Sequence, residues 1–94
     1  QPYSYRDLSF SVRNPGDFNT LNDLIINYKN EYLKECFMFD YYINEKAGML
    51  KVAYRFIFQS NNETLQENQV DEIINDIIIT TTVLESVDIP GINL

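Results

Sequence analysis

Hydrophobic periods along this 94-residue chain run strand, helix, strand, strand, helix and a short last strand, which predicts an α+β fold of the ferredoxin-like, split βαβ kind (βαββαβ). Three observations carry the expectation. Two segments alternate apolar and polar residues with period two, two others repeat apolar residues at spacings of three and four, and an aromatic-rich hairpin joins the second strand to the third. The arrangement is an antiparallel sheet with two helices on one face. The other face is left bare, and folds of this kind commonly bind there.

Residues 5–12, YRDLSFSV, alternate strictly, with Leu8, Phe10 and Val12 on one side and Tyr5, Asp7, Ser9 and Ser11 on the other. Asn14-Pro15-Gly16 breaks this strand. Over residues 20–29, Leu21, Leu24, Ile25 and Tyr28 recur at helical spacing, with Phe18 just upstream and Asn19 or Thr20 as the expected cap. Residues 33–43 are aromatic-rich and read as a second strand, less cleanly alternating than the first. The turn NEKAG at 44–48 leads into a third strand over 50–59. There Leu50, Val52, Tyr54, Phe56 and Phe58 share one face, and Lys51, Ala53, Arg55, Ile57 and Gln59 the other.

The longest helix follows, with Val70, Ile73, Ile74, Ile77, Val83 and Leu84 as its buried stripe. Thr64 and Glu67 have the spacing of a capping box. The run from Ile77 to Thr82 is β-branched and locally favours strand, but the periodicity continues to Leu84 and keeps it helical. Pro90-Gly91 closes the helical region, and Ile92-Asn93-Leu94 leaves room for a short final strand.

A chain of this length supports one core. It opens on Gln1 with strand signal close behind, as expected for one domain, residues 1–94, of a longer protein. The lone Cys36 can form no internal bridge, so it is expected as a small buried hydrophobe in a reducing compartment. No apolar run approaches the ~18 residues that span a bilayer. The net charge is −7, unevenly spread: Arg6, Arg13, Lys29, Lys34, Lys46, Lys51 and Arg55 all precede residue 56, whereas the last 39 residues hold seven acids and no base. A polyanion could therefore approach surfaces built from the first part and would be repelled by the C-terminal segment.

Catalysis finds no footing. There is no histidine to activate Cys36 or a serine, and the three glycines form no phosphate-binding loop. Asp71, Glu72 and Asp76 crowd one helical turn, but a solvated acidic face explains them better than a cation site, which draws several oxygens from a loop. The bare sheet face is more informative. Tyr5, Asp7, Ser9 and Ser11 of the first strand and Lys51, Arg55 and Gln59 of the third can stack bases and bond their edges. The same residues also allow a plain cross-strand Asp7–Arg55 ion pair with Tyr5 as surface cover.

Several stretches resemble the ferredoxin-fold anticodon-binding domain that ends the β chain of bacterial phenylalanyl-tRNA synthetase and also the single-chain organellar enzyme. They are PYSYRDLSFSV at the start with its Arg6-Asp7 pair, FDYY at 39–42, AYRFIFQS at 53–60, Thr64-Leu65, and Val70 in the second helix. Three departures accompany them. Gly48 is followed by Met49-Leu50-Lys51 where the family has Gly-x-Lys-Ser, Gln66 replaces a second Thr or Ser after Thr64-Leu65, and the chain ends at Leu94 where the family often continues with arginine.

The resemblance implies a non-catalytic domain that meets the anticodon arm of phenylalanine tRNA. Its parent, a phenylalanine–tRNA ligase, would activate phenylalanine with ATP and Mg²⁺ elsewhere; this domain itself is expected to hold no cofactor. The remainder of the β chain is an expected partner, and the catalytic α subunit another if the parent is bacterial. The compartment is then the bacterial cytoplasm, or an organellar matrix for the single-chain form, with no membrane contact. Arg6, Asp7, Phe39, Asp40, Tyr42, Arg55 and Ser60 fall on family positions. Strand parity adds Tyr5, Lys51 and Gln59 as RNA-facing candidates, while Phe39 and Tyr42 fit either packing or contact. The rival expectation is a ferredoxin-like interaction or regulatory module that uses the bare face for protein pairing.

Overall fold

In the computed structural model, which describes residues 3–92, the chain runs β1 (Ser4–Val12), a 3-10 turn (Pro15–Asp17), α1 (Phe18–Ile26), β2 (Leu33–Asn44), β3 (Met49–Phe58), α2 (Glu67–Thr81) and β4 (Val87–Asp88). The strands form one antiparallel sheet in the order β2-β3-β1-β4, the expected ferredoxin-like topology. Alternation in β1 and β3 becomes register: Leu8 pairs with Tyr54, Phe10 with Val52 and Val12 with Leu50, all turned toward the helices. Leu21 and Ile25 of α1 and Val70, Ile73, Ile77 and Ile78 of α2 close over them, joined by Phe56 and Phe58. Within this core the Tyr54 hydroxyl donates to Asn22 Oδ1 at 2.6 Å, tying β3 to α1. Tyr28, just past α1, donates to Asp76 Oδ2 at 2.6 Å and ties the helices together.

The helix ends differ from the sequence reading, for local reasons. α1 begins at Phe18, so Asn19 and Thr20 lie inside it. Asn14 instead accepts from the Gly16 N–H at 3.1 Å and caps the preceding 3-10 turn. α2 is capped by Gln66 rather than Thr64: the Gln69 N–H donates to the Gln66 side chain, and the Gln66 N–H donates to Gln69 Oε1 at 2.8 Å. The helix stops at Thr81, short of Leu84. There the Thr81 hydroxyl donates to the Ile77 carbonyl at 2.9 Å and the Thr82 hydroxyl to that of Ile78 at 2.6 Å, a local competition that accompanies helix termination. Val83, expected in the stripe, is 72% exposed, while Ile78 takes a buried place.

The last strand also lies earlier than expected. Val87 pairs with Val12 and Asp88 with Ser11. Arg13 fixes this return through an ion pair to Asp88, a side-chain bond to the Glu85 carbonyl and a backbone bond from its N–H to Ser86 O at 2.8 Å. Ile92 is in no strand, and Asn93 and Leu94 lie outside the described residues. Cys36 is half-buried beside the core, and burial pushes its thiol up to about 11.

Candidate nucleic-acid interface

β2 explains why its sequence alternated poorly. Its pairing with β3 slips between Leu33 and Glu35 and again between Met38 and Asp40, each slip an extra residue in the bulged strand. The second bulge resets the facing of everything after it. Phe37 stands opposite Arg55, Asp40 opposite Ala53 and Tyr42 opposite Lys51, all on the open face, while Tyr41 turns to the helix side and meets Phe18 edge-on at 5.5 Å.

Three tiers therefore cross the open face. Asp7, Arg55 and Phe37 form the first, Ser9, Ala53 and Asp40 the second, and Ser11, Lys51 and Tyr42 the third. In the first tier Arg55 Nε donates to Asp7 Oδ1 at 2.9 Å and Nη2 to Oδ2 at 3.0 Å. That hydrogen bonding holds the Asp7 carboxyl below its ordinary range. The guanidinium carbon lies 4.3 Å from the centre of the Tyr5 ring and 5.4 Å from that of Phe39. Both rings remain about half exposed, 53% and 49%, and Tyr42 is 57% exposed.

The lower tiers surround a hollow of about 290 Å³. Ser9, Ser11 and Ala53 are small, so the sheet surface dips between Asp40, Lys51 and the incoming Pro90. Lys51 is exposed and forms no ion pair with any described residue.

The structure brings together Tyr5, Asp7, Phe39, Asp40, Tyr42, Lys51 and Arg55, but not every candidate. Arg6 faces the helix side, where its Nη2 bonds Asp71 Oδ1 at 3.1 Å and lies 3.6 Å from Glu67 Oε1. The strand parity that put Leu8 in the core put Arg6 there too, at the sheet margin beside α2. Ser60 is buried, its hydroxyl accepting from the Asn62 N–H at 3.3 Å. Gln59, next to the end of β3, donates its backbone N–H to Tyr32 O at 2.9 Å. Phe37 and Pro90 escaped the sequence reading, and broken alternation in FMFDYY was the signal for Phe37. The Asp7–Arg55 ion pair is present, yet it coexists with two exposed rings.

Chemically the face can stack planar groups, offer hydroxyls and one carboxylate, and attract a phosphate at Lys51. It is a candidate binding surface on a ferredoxin-like module. The chain belongs to the ferredoxin-fold anticodon binding domain family, whose model matches residues 1–85. It is similar to the chloroplastic β subunit of phenylalanine–tRNA ligase from Pyropia yezoensis, 32% identical over 78 residues. It is likewise similar to that subunit from Gracilaria tenuistipitata var. liui, 26% identical over 81 residues, and to the chloroplastic/mitochondrial phenylalanine–tRNA ligase of Arabidopsis thaliana, 24% over 78 residues. These matches cover 76%, 82% and 78% of this chain but only 11%, 12% and 18% of the respective relatives. The chain thus spans less than a fifth of the length of these relatives.

Proposed function

We propose that this chain is the tRNA-binding domain of a phenylalanine–tRNA ligase, with its open sheet face laid against the anticodon arm. The observation that supports this most is the segregation of the surface. Exposed rings, the serine-floored hollow and Lys51 share the open face, while Glu67, Asp71 and Asp76 belong to α2 on the opposite side. A polyanion approaching the sheet meets the rings and Lys51 first. In this reading Tyr5, Phe39 and Tyr42 stack unpaired bases, Asp40 accepts from a base edge, and Lys51 holds phosphate.

Phenylalanine activation with ATP and Mg²⁺ belongs to the rest of such a ligase. The α subunit is a partner where the parent has two subunits, and the compartment is the bacterial cytoplasm or an organellar matrix according to the parent's form. No helix among the described residues is long and apolar enough to cross a membrane. With one unpaired lysine on the face among the described residues, affinity of the isolated domain should be weak and depend on tethering.

Titration of labelled phenylalanine tRNA into the chain at low and moderate salt tests this. Binding should weaken with salt, and Lys51→Ala should both reduce affinity and make the slope of log K against log salt shallower by about one. Absence of binding at low salt, or concentration-dependent dimers that form through this face without RNA, would overturn the reading in favour of a protein-pairing module.

A further inference from the structure

Arg55 is the one cation at the centre of the open face, yet its geometry is poorly suited to gripping a phosphate. Two of its donors are spent on Asp7, side-on and bidentate, and the carboxylate neutralises its charge locally. What remains is a flat guanidinium, fixed in orientation, lying near two rings from different strands. Tyr5 comes from β1, two residues from Asp7, and Phe39 comes from the β2 bulge, which puts it beside the paired register. Neither ring belongs to the buried core, and the guanidinium is one contact that they share.

We propose that Arg55 is a positioning residue: locked by Asp7, it holds Tyr5 and Phe39 as a two-ring platform on which an unpaired nucleobase stacks. The proposal rests on the RNA-binding reading above and assigns the division of labour within it. Lys51 supplies charge, and the Asp7–Arg55 pair supplies order. Only arginine can do this, because the planar fork both matches a carboxylate and stacks on rings, whereas lysine offers a point charge.

The two roles open to Arg55 give opposite signs for one substitution. Asp7→Asn removes a negative charge beside the RNA and breaks the bidentate hold on the guanidinium, leaving it at most one neutral acceptor. If Arg55 grips phosphate, this variant binds phenylalanine tRNA more tightly. If Arg55 positions the rings, the variant binds more weakly, by about tenfold, the lower part of what one stacked base contributes. Arg55→Lys should lose about as much as Arg55→Gln, and neither should change the salt slope, because no phosphate contact is lost. In the free chain, the Arg55 Nε–H resonance should carry a ring-current shift that Tyr5→Leu reduces and that Tyr5→Leu combined with Phe39→Leu abolishes, with amide dispersion confirming that each variant is folded.

Tighter binding by Asp7→Asn, full retention of affinity by Arg55→Lys, a salt slope shallower by about one in Arg55→Gln, or no ring-current shift in the free chain would each overturn the proposal while leaving the RNA reading intact. Failure of the unmodified chain to bind RNA at low salt would overturn both.

Discussion

Replacing Tyr54 by phenylalanine should destabilise the domain at neutral pH and stabilise it, relative to the unmodified chain, in strong alkali. The hydroxyl sits on a ring only 1% exposed and donates to Asn22 Oδ1 at 2.6 Å. Such a bond is worth about 1 kcal/mol net, and phenylalanine fills the same ring volume. Burial first, and the neighbouring Cys36 second, push the phenol up to about 12. In the unfolded chain it titrates near its ordinary value of about 10. The folded state therefore resists ionisation that the unfolded state accepts. The stability tied to the neutral phenol is complete below about pH 10 and is lost as pH rises toward 12, a total of about 2–3 kcal/mol for the two units involved.

The variant thus starts about 1 kcal/mol less stable, and the two stabilities cross near pH ~11. Urea unfolding followed by far-UV circular dichroism at a series of pH values from neutral to about 11 reads the difference directly. At neutral pH the melting temperature should fall by about 4–8 °C. Parallel stability curves that never converge would mean the hydroxyl is hydrated, and the account of this part of the core would be wrong.

Two further outcomes test the fold. Ile77→Ala, at a position 1% exposed, should cost about 2–4 kcal/mol in urea unfolding; a loss below about 1 kcal/mol would show that α2 is not packed as described. Gly48 has φ +63° with open space around it, so Gly48→Ala should cost about 1 kcal/mol through backbone strain alone and leave tRNA affinity unchanged. An unaltered melting temperature would place that residue in an ordinary turn conformation.

The parts of the fold that the sequence revealed are those where two faces meet different surroundings. Leu50 to Phe58 alternates because every second residue lies under the helices, and periodicity found all five core residues of β3 as well as the neighbouring placement of Asp7 and Arg55. β2 defeated the same method because two extra residues shift its phase, and because it is an edge strand whose side chains are exposed on both faces. A phase change leaves no mark in composition, so Phe39 and Asp40 could be located only by pairing with β3.

Arg6 lies apart from the open face for another reason. Its resemblance to a family position said nothing about facing, whereas parity with Leu8 already pointed it toward α2. The early stop of α2 was written in its threonines, whose hydroxyls claim helix carbonyls, but an apolar rhythm reaching Leu84 outweighed them in the sequence reading.

The start of α2 has a consequence for how the domain meets acid. Its reciprocal cap is made by two amides, Gln66 and Gln69, where many helices use a carboxylate. Neither amide titrates, so protonation cannot remove an acceptor from this joint. Acid will instead act at Asp7, whose carboxyl the hydrogen bonds from Arg55 hold below its ordinary range in the folded state, so that the stability it contributes is lost as pH falls through that lowered value. Lowering pH should therefore loosen the cross-strand contact between β1 and β3 on the open face while the first turn of α2 stays wound, an order of loosening that hydrogen exchange can follow residue by residue.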